Sequence, residues 1–216
     1  TTEIYPLSLH DALPISVMNP ISRRGQRVIQ LCSYSIVISL LVPCLWPAKL
    51  HAQPAPTITW SGGATGDWNV AANWSPARVP DATDHVLINR VGGAEVRLNV
   101  DANIASLTLG GGSGDPQELR MDLSRTLTLA AHSFVGASGV LRLGSGTLTR
   151  SGEISVAGTM EWTGGTLTGP GEVAILSGAQ MLISGNASRT LNSGALRNHG
   201  QVSWIQTGGT DRKSVV

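Results

Sequence analysis

Gly139–Thr149 reads GVLRLGSGTLT, and nineteen residues later Gly158–Thr168 reads GTMEWTGGTLT. The match continues past both phrases, with Arg150-Ser151-Gly152-Glu153-Ile154-Ser155-Val156 answered by Gly169-Pro170-Gly171-Glu172-Val173-Ala174-Ile175. A looser copy begins at Gly178 and another at Gly200-Gln201-Val202-Ser203-Trp204. Inside each copy apolar and polar residues alternate, as in Leu141-Arg142-Leu143 and Met160-Glu161-Trp162, which is the period of a half-buried strand. Gly and Ser between the runs are turn punctuation. A unit of this length cannot bury its apolar face alone, so copies must stack on one another.

Stacking in a parallel β-helix sets equivalent residues about 4.8 Å apart. Leu143 and Trp162, and likewise Leu148 and Leu167, are then expected as continuous inward columns. Arg142 and Glu161 are expected to pair across rungs, contributing ~0.2–1 kcal/mol if exposed. Glycines are expected where the chain turns, because glycine takes positive φ without penalty. A leucine-rich repeat is a poorer fit, since no helical half accompanies the strands. The expected fold is all-β: a parallel β-helix or β-solenoid over residues 91–210, breaking off in mid-repeat, with a β-sandwich as the alternative.

Upstream the same alternation appears at Glu95-Val96-Arg97-Leu98-Asn99-Val100, at Leu107 and Leu109, and at Leu127 and Leu129. Residues 57–90 differ in carrying Trp60, Trp68 and Trp74 among glycines and asparagines. The first rung of a solenoid exposes a strand edge and an open apolar end, and large aromatics can cover both. This stretch is therefore expected to be a Trp-rich β cap. The competing reading is glycan contact, since aromatic faces stack on sugar rings; Trp60, Trp68 and Trp74 are the candidate residues.

The stretch Thr59–Asn89, TWSGGATGDWNVAANWSPARVPDATDHVLIN, resembles the opening of many large secreted bacterial β-repeat proteins of the autotransporter and adhesin kind. The matching residues are Trp60, Gly62, Gly63, Trp68, Asn73, Trp74, Pro80 and Asp84, and the repeats from Gly139 to Gly209 resemble that group too. The resemblance implies a structural or adhesive surface protein and names no substrate. Secretion by the autotransporter route would depend on sequence beyond this chain.

The remaining segments read as processing and artefact. Arg23, Arg24 and Arg27 precede an apolar run from Val28 to Trp46, followed by Leu50-His51-Ala52. A basic stretch, an apolar core and a small residue before the cut predict a secretory signal peptide over 17–52 that starts near Met18 and contains a helix. Cleavage is expected between Ala52 and Gln53, with a membrane anchor as the alternative. Twin-arginine and lipoprotein signals fit less well at Ser22-Arg23-Arg24 and at Leu41-Val42-Pro43-Cys44. Residues 53–56 form a short linker. Thr1–Ser16, TTEIYPLSLHDALPIS, resembles a translated sequencing adapter with Pro6 as its one departure, and residues 211–216, DRKSVV, resemble the opposite strand of the same adapter. His10 and Asp11 are accordingly not candidate catalytic residues.

Both cysteines, Cys32 and Cys44, fall in the expected signal peptide, so disulfides cannot hold the repeat region. Between Gln53 and Thr210 there is no lysine, and the chain's net charge is only +1. Nucleic-acid affinity depends on clustered cations, so that class of partner is not expected.

Candidate chemistry is sparse. Asp81, Asp84 and His85 form the densest polar cluster and could orient a base or hold a metal, but Asp-Ala-Thr-Asp after a proline is also ordinary turn chemistry. Glu153 and Glu172 occupy equivalent places one rung apart, where stacked like charges are unfavourable unless a cation intervenes. Solvated turn residues are the competing reading. His132 and His199 are expected at the surface. Asn73-Trp74-Ser75 and Asn186-Ala187-Ser188 match a glycosylation sequon, which a bacterial chain would usually leave unmodified. No catalytic residue, cofactor or metal is expected. The expected function is that of an exported, secreted or cell-surface structural or adhesin-like protein that uses the export machinery, with surface glycans or host and matrix proteins as candidate partners. The alternatives are a secreted β-helical carbohydrate-active enzyme and a carbohydrate-binding module.

Overall fold

Short alternating runs separated by glycine leave each strand one option, to pair with its equivalent in the next repeat. The computed structural model, which describes residues 54–112 and 114–205, shows that arrangement. The expected signal peptide, Ala52, Gln53 and both adapter-like ends lie outside the described residues.

The chain runs through β1 (Ile58–Trp60) and β2 (Thr65–Asp67), takes a 3-10 turn at Ala71–Asn73, and returns as β3 (Trp74–Ser75) before β4 (His85–Ile88). Three-stranded rungs follow. β5 (Ala94–Arg97), β6 (Ala102–Ile104) and β7 (Ser106–Leu109) make one; β8 (Gln117–Met121), β9 (Thr126–Leu129) and β10 (Ser133–Val135) make the next. Then come β11 (Gly139–Leu143), β12 (Thr147–Arg150) and β13 (Ile154–Val156), followed by β14 (Thr159–Trp162), β15 (Gly165–Thr168) and β16 (Glu172–Ile175). β17 (Gln180–Ser184), β18 (Arg189–Asn192) and β19 (Ala195–Asn198) complete another rung, and β20 (Gln201–Ile205) opens one more.

Like strands stack into three sheets, one per side of a prism: β2-β5-β8-β11-β14-β17-β20, β6-β9-β12-β15-β18, and β3-β1-β4-β7-β10-β13-β16-β19. Every neighbouring pair is parallel except β1 with β3. That pattern excludes the β-sandwich, whose hairpins would make antiparallel neighbours. The fold is a parallel β-solenoid.

The register follows the repeat residue for residue. Leu143 pairs with Trp162 and Leu148 with Leu167, and all four are buried. Val96, Leu119, Leu141, Met160 and Met181 form one unbroken inward column. One hydrophobic cluster joins the inward residues from Ile58 to Ile183. Each fully buried Leu or Ile contributes about 1.5–3 kcal/mol, which is what holds cysteine-free rungs together.

Two details of the sequence reading change. The looser copy is offset, because Gln180 pairs with Thr159. Ala179, not Gly178, therefore stands in the column of Gly139, Gly158 and Gly200. In addition, Gly139 and Gly158 do not have positive φ; a Cβ on Gly158 would overlap the carbonyl oxygens of Gly136 and Gly139 in the rung below. Close approach of rungs selects glycine there. At Gly169 both reasons apply, with φ at +101° and a Cβ that would overlap the Arg150 carbonyl oxygen.

Candidate functional site

The three candidate tryptophans come together, but inside the prism. Trp60, Trp68 and Trp74 are 3 %, 0 % and 1 % exposed. Trp74 is packed edge-to-face between the other two, with ring centroids 5.0 Å from Trp60 and 4.8 Å from Trp68. Trp60 Nε1 donates to the Gly63 carbonyl and Trp74 Nε1 to that of Trp68, at 3.1 and 2.8 Å. Covered indole faces leave no platform for a sugar ring, so in this structure they are core and not a glycan site.

Glycines around them make room for this packing. A Cβ on Gly62 would lie 2.8 Å from Trp60 Cζ2, and one on Gly66 would lie 2.8 Å from Asn73 Nδ2. Both glycines clear space for the Trp60 ring and the Asn73 amide. Asn73 in turn donates to the Asp67 carbonyl, and its own carbonyl accepts from the Ser61 and Gly62 amides. The antiparallel β3 lies along β1, with Thr59 opposite Ser75 and Trp60 opposite Trp74. A two-residue edge strand followed by Pro76, which has no N–H, is a poor template for further pairing.

Asp84 and His85 part company. Neighbours on a strand point to opposite faces, and His85 Nδ1 meets Ser106 Oγ at 2.8 Å on the outside. Asp84 is 1 % exposed and receives both Arg78 Nη atoms, at 2.5 and 2.6 Å. Thr57 Oγ1 and the Asp81 amide also donate to it. The Arg78 hydrogen bonds, with those from Asp81 and Thr57, outweigh the cost of burial and hold its carboxyl down at about 2. Asp81 accepts from the Thr83 amide and hydroxyl, the turn geometry expected of it. This carboxylate ties the start of the Trp-rich segment to its Arg78–Asp81 loop.

Glu153 and Glu172 stack as expected, and the cation between them is a side chain. Arg197 Nη2 lies 3.2 Å from Glu153 and its Nε 3.0 Å from Glu172. Glu153 also accepts from Ser155 Oγ at 2.5 Å, and His132 Nε2 lies 3.0 Å from that hydroxyl. His132, expected as an isolated surface residue, is thus half-buried in a hydrogen-bonded chain, while His199 is exposed as expected. The histidine meets the serine and the serine donates to the glutamate, which is not the order of a nucleophilic triad. The register separates His85 from Glu153 by three rungs, about 14 Å, so the acidic residues at the cap and on the repeats do not converge.

The sheet containing β5, β8, β11 and β14 presents a charge ladder. Arg142 lies 2.9 Å from Glu118 and 3.1 Å from Glu161, confirming the cross-rung pair, and Arg120 contacts Glu95 and Asp122. Burial pushes the Glu118 carboxyl up against the pull of Arg142. Sequence reading missed Arg150. It pairs with Leu129, which pairs with Ile104, so an arginine stands in an aliphatic inward column. It is 0 % exposed, and its Nη1 donates to the Thr168 carbonyl at 3.1 Å. The room for it comes from glycines of later rungs: a Cβ on Gly171 would lie 3.1 Å from Arg150 Cγ, and one on Gly194 would lie 2.7 Å from its Nη2. No family model, curated protein or solved structure matches the chain.

Proposed function

We propose that the chain is a segment of an exported bacterial structural or adhesin-like β-repeat protein, secreted or held at the cell surface, in which the solenoid is a stiff spacer. One observation carries the reading: the outward ionic groups on two faces of the prism are committed to one another. Arg142 serves two carboxylates and Arg197 serves two more. A spacer needs a continuous core and charged faces that neutralise themselves, and the parallel β-solenoid supplies both. Surface glycans or host and matrix proteins would then be bound by other regions of the parent protein. Among the described residues no helix is long and apolar enough to cross a membrane.

The test joins the chain to a reporter enzyme that is active only outside the cytoplasm. Reporter activity, with a mature amino terminus at Gln53 found by terminal sequencing, supports export. Retention inside the cell overturns it. Turnover of a polysaccharide by the purified chain would replace the structural reading with the enzymatic one.

A further inference from the structure

Each outer face of the prism has its own chemistry. One bears the Glu–Arg ladder, and another bears His85, His132, Glu153, Glu172 and Arg197. The third, on β9, β12, β15 and β18, bears threonine. Thr126, Thr147, Thr166 and Thr190 pair in succession as one column, and Thr128, Thr149 and Thr168 as a second that ends in Asn192. These seven side chains point outward from Leu127, Leu148, Leu167 and Leu191, and all are partly or fully exposed. Among the described residues none of their hydroxyls is engaged in a hydrogen bond.

We propose that this threonine grid is an ice-binding face. Its repeat is two-dimensional, about 4.8 Å between rungs and roughly 6.7 Å between alternate residues of a strand. A periodic face is complementary to a periodic partner, and both spacings lie near oxygen repeats on ice crystal faces. Threonine is stiff at χ1, so hydroxyls and methyls stand in fixed rows instead of sampling many positions. Ordering water along such rows costs less than ordering it around mobile side chains.

Charge narrows the partner further. The four strands carry no ionised group on this face. At its margins the Asp101 carboxylate is turned to the Thr126 amide, and the Arg189 guanidinium is held on the Ser184 and Gly185 carbonyls. Arg125 lies in the turn before β9. The grid thus suits an uncharged, hydrogen-bonding, ordered partner. It carries no aromatic ring on which a sugar could stack, which favours ice over a crystalline polysaccharide.

The experiment uses the full chain in nanolitre osmometry with ice-crystal imaging. The expected result is a measurable gap between melting and freezing points with faceted crystals. Thr128→Tyr, Thr149→Tyr and Thr168→Tyr, made singly on three rungs, should each abolish the gap while the β-sheet circular dichroism signal is kept. Thr159→Tyr, on the charged face, should leave it intact. Three positions guard against one variant failing to fold. A folded chain that leaves ice growth unchanged overturns the proposal, as does a gap that survives in the folded grid variants. Threonine-dependent retention on microcrystalline cellulose or chitin without any effect on ice assigns the face to polysaccharide and also overturns it.

Discussion

Asp84 and Arg150 are both buried ionic residues, and they have opposite expected consequences. Asp84 has a full complement of donors, and its carboxyl is held at about 2 against an ordinary 3.8. A depressed carboxylate stabilises the fold above the unfolded value, and that contribution fades as pH falls from about 4 toward 2, on the order of 2 kcal/mol in all. Acid titration followed by circular dichroism should show this loss, and Asp84→Asn should flatten the pH dependence in that window. Arg78→Met leaves the buried carboxylate uncompensated and should cost about 2–3 kcal/mol at pH 7 by denaturant melts. Arg150 has the reverse problem. Desolvation lowers its pKa, and its Nε and Nη2 lack hydrogen-bond partners. Replacing an unpaired buried charge with an apolar side chain of similar length is neutral or stabilising. Arg150→Met should therefore hold or raise the thermal midpoint; a loss above about 1 kcal/mol would mean that its contacts with the rung carbonyls outweigh the charge.

At the scale of elements, the cap works because Gly66 sits against side chains that cannot yield. The Trp60 ring is fixed by Trp74, and the Asn73 amide is held by Asp67. Gly66→Ala should cost about 1–3 kcal/mol through overpacking, lowering the melting midpoint and shifting the tryptophan fluorescence. The tryptophan cluster was legible in the sequence, but a core and a sugar platform were both open uses for it until the indoles were found buried. The antiparallel turn of β3 was not legible, since it depends on Trp74 finding Trp60 across the thirteen residues between them. Glu153 and Glu172 show the same division. Their stacking follows from the repeat, whereas their neutralisation comes from Arg197, in a rung where the repeat is loose. Arg197→Ala should cost about 0.5–1 kcal/mol for a half-exposed network, and Glu153→Gln in that background should recover part of it in a double-mutant cycle.

For the whole described solenoid, stability comes from stacking, since its residues include no cysteine. Its thermal midpoint should be unchanged by a thiol reductant; a fall would implicate covalent links outside the rungs. The all-β class, a rung of about twenty residues, the inward columns through Leu143, Trp162, Leu148 and Leu167, and the pairing of Arg142 with Glu161 could be read from the chain alone. These follow from period-two alternation and from the fact that stacked copies bring like residues together. Which side of the prism each outward residue occupies, whether an indole is covered or free, and which cation reaches a pair of carboxylates emerge only when the rungs pack. Those outcomes depend on corner angles and on side chains one or two rungs away. A corner turn such as Gly169, and the distance a guanidinium must span, are set in three dimensions by the packing of rungs and leave no period in the chain.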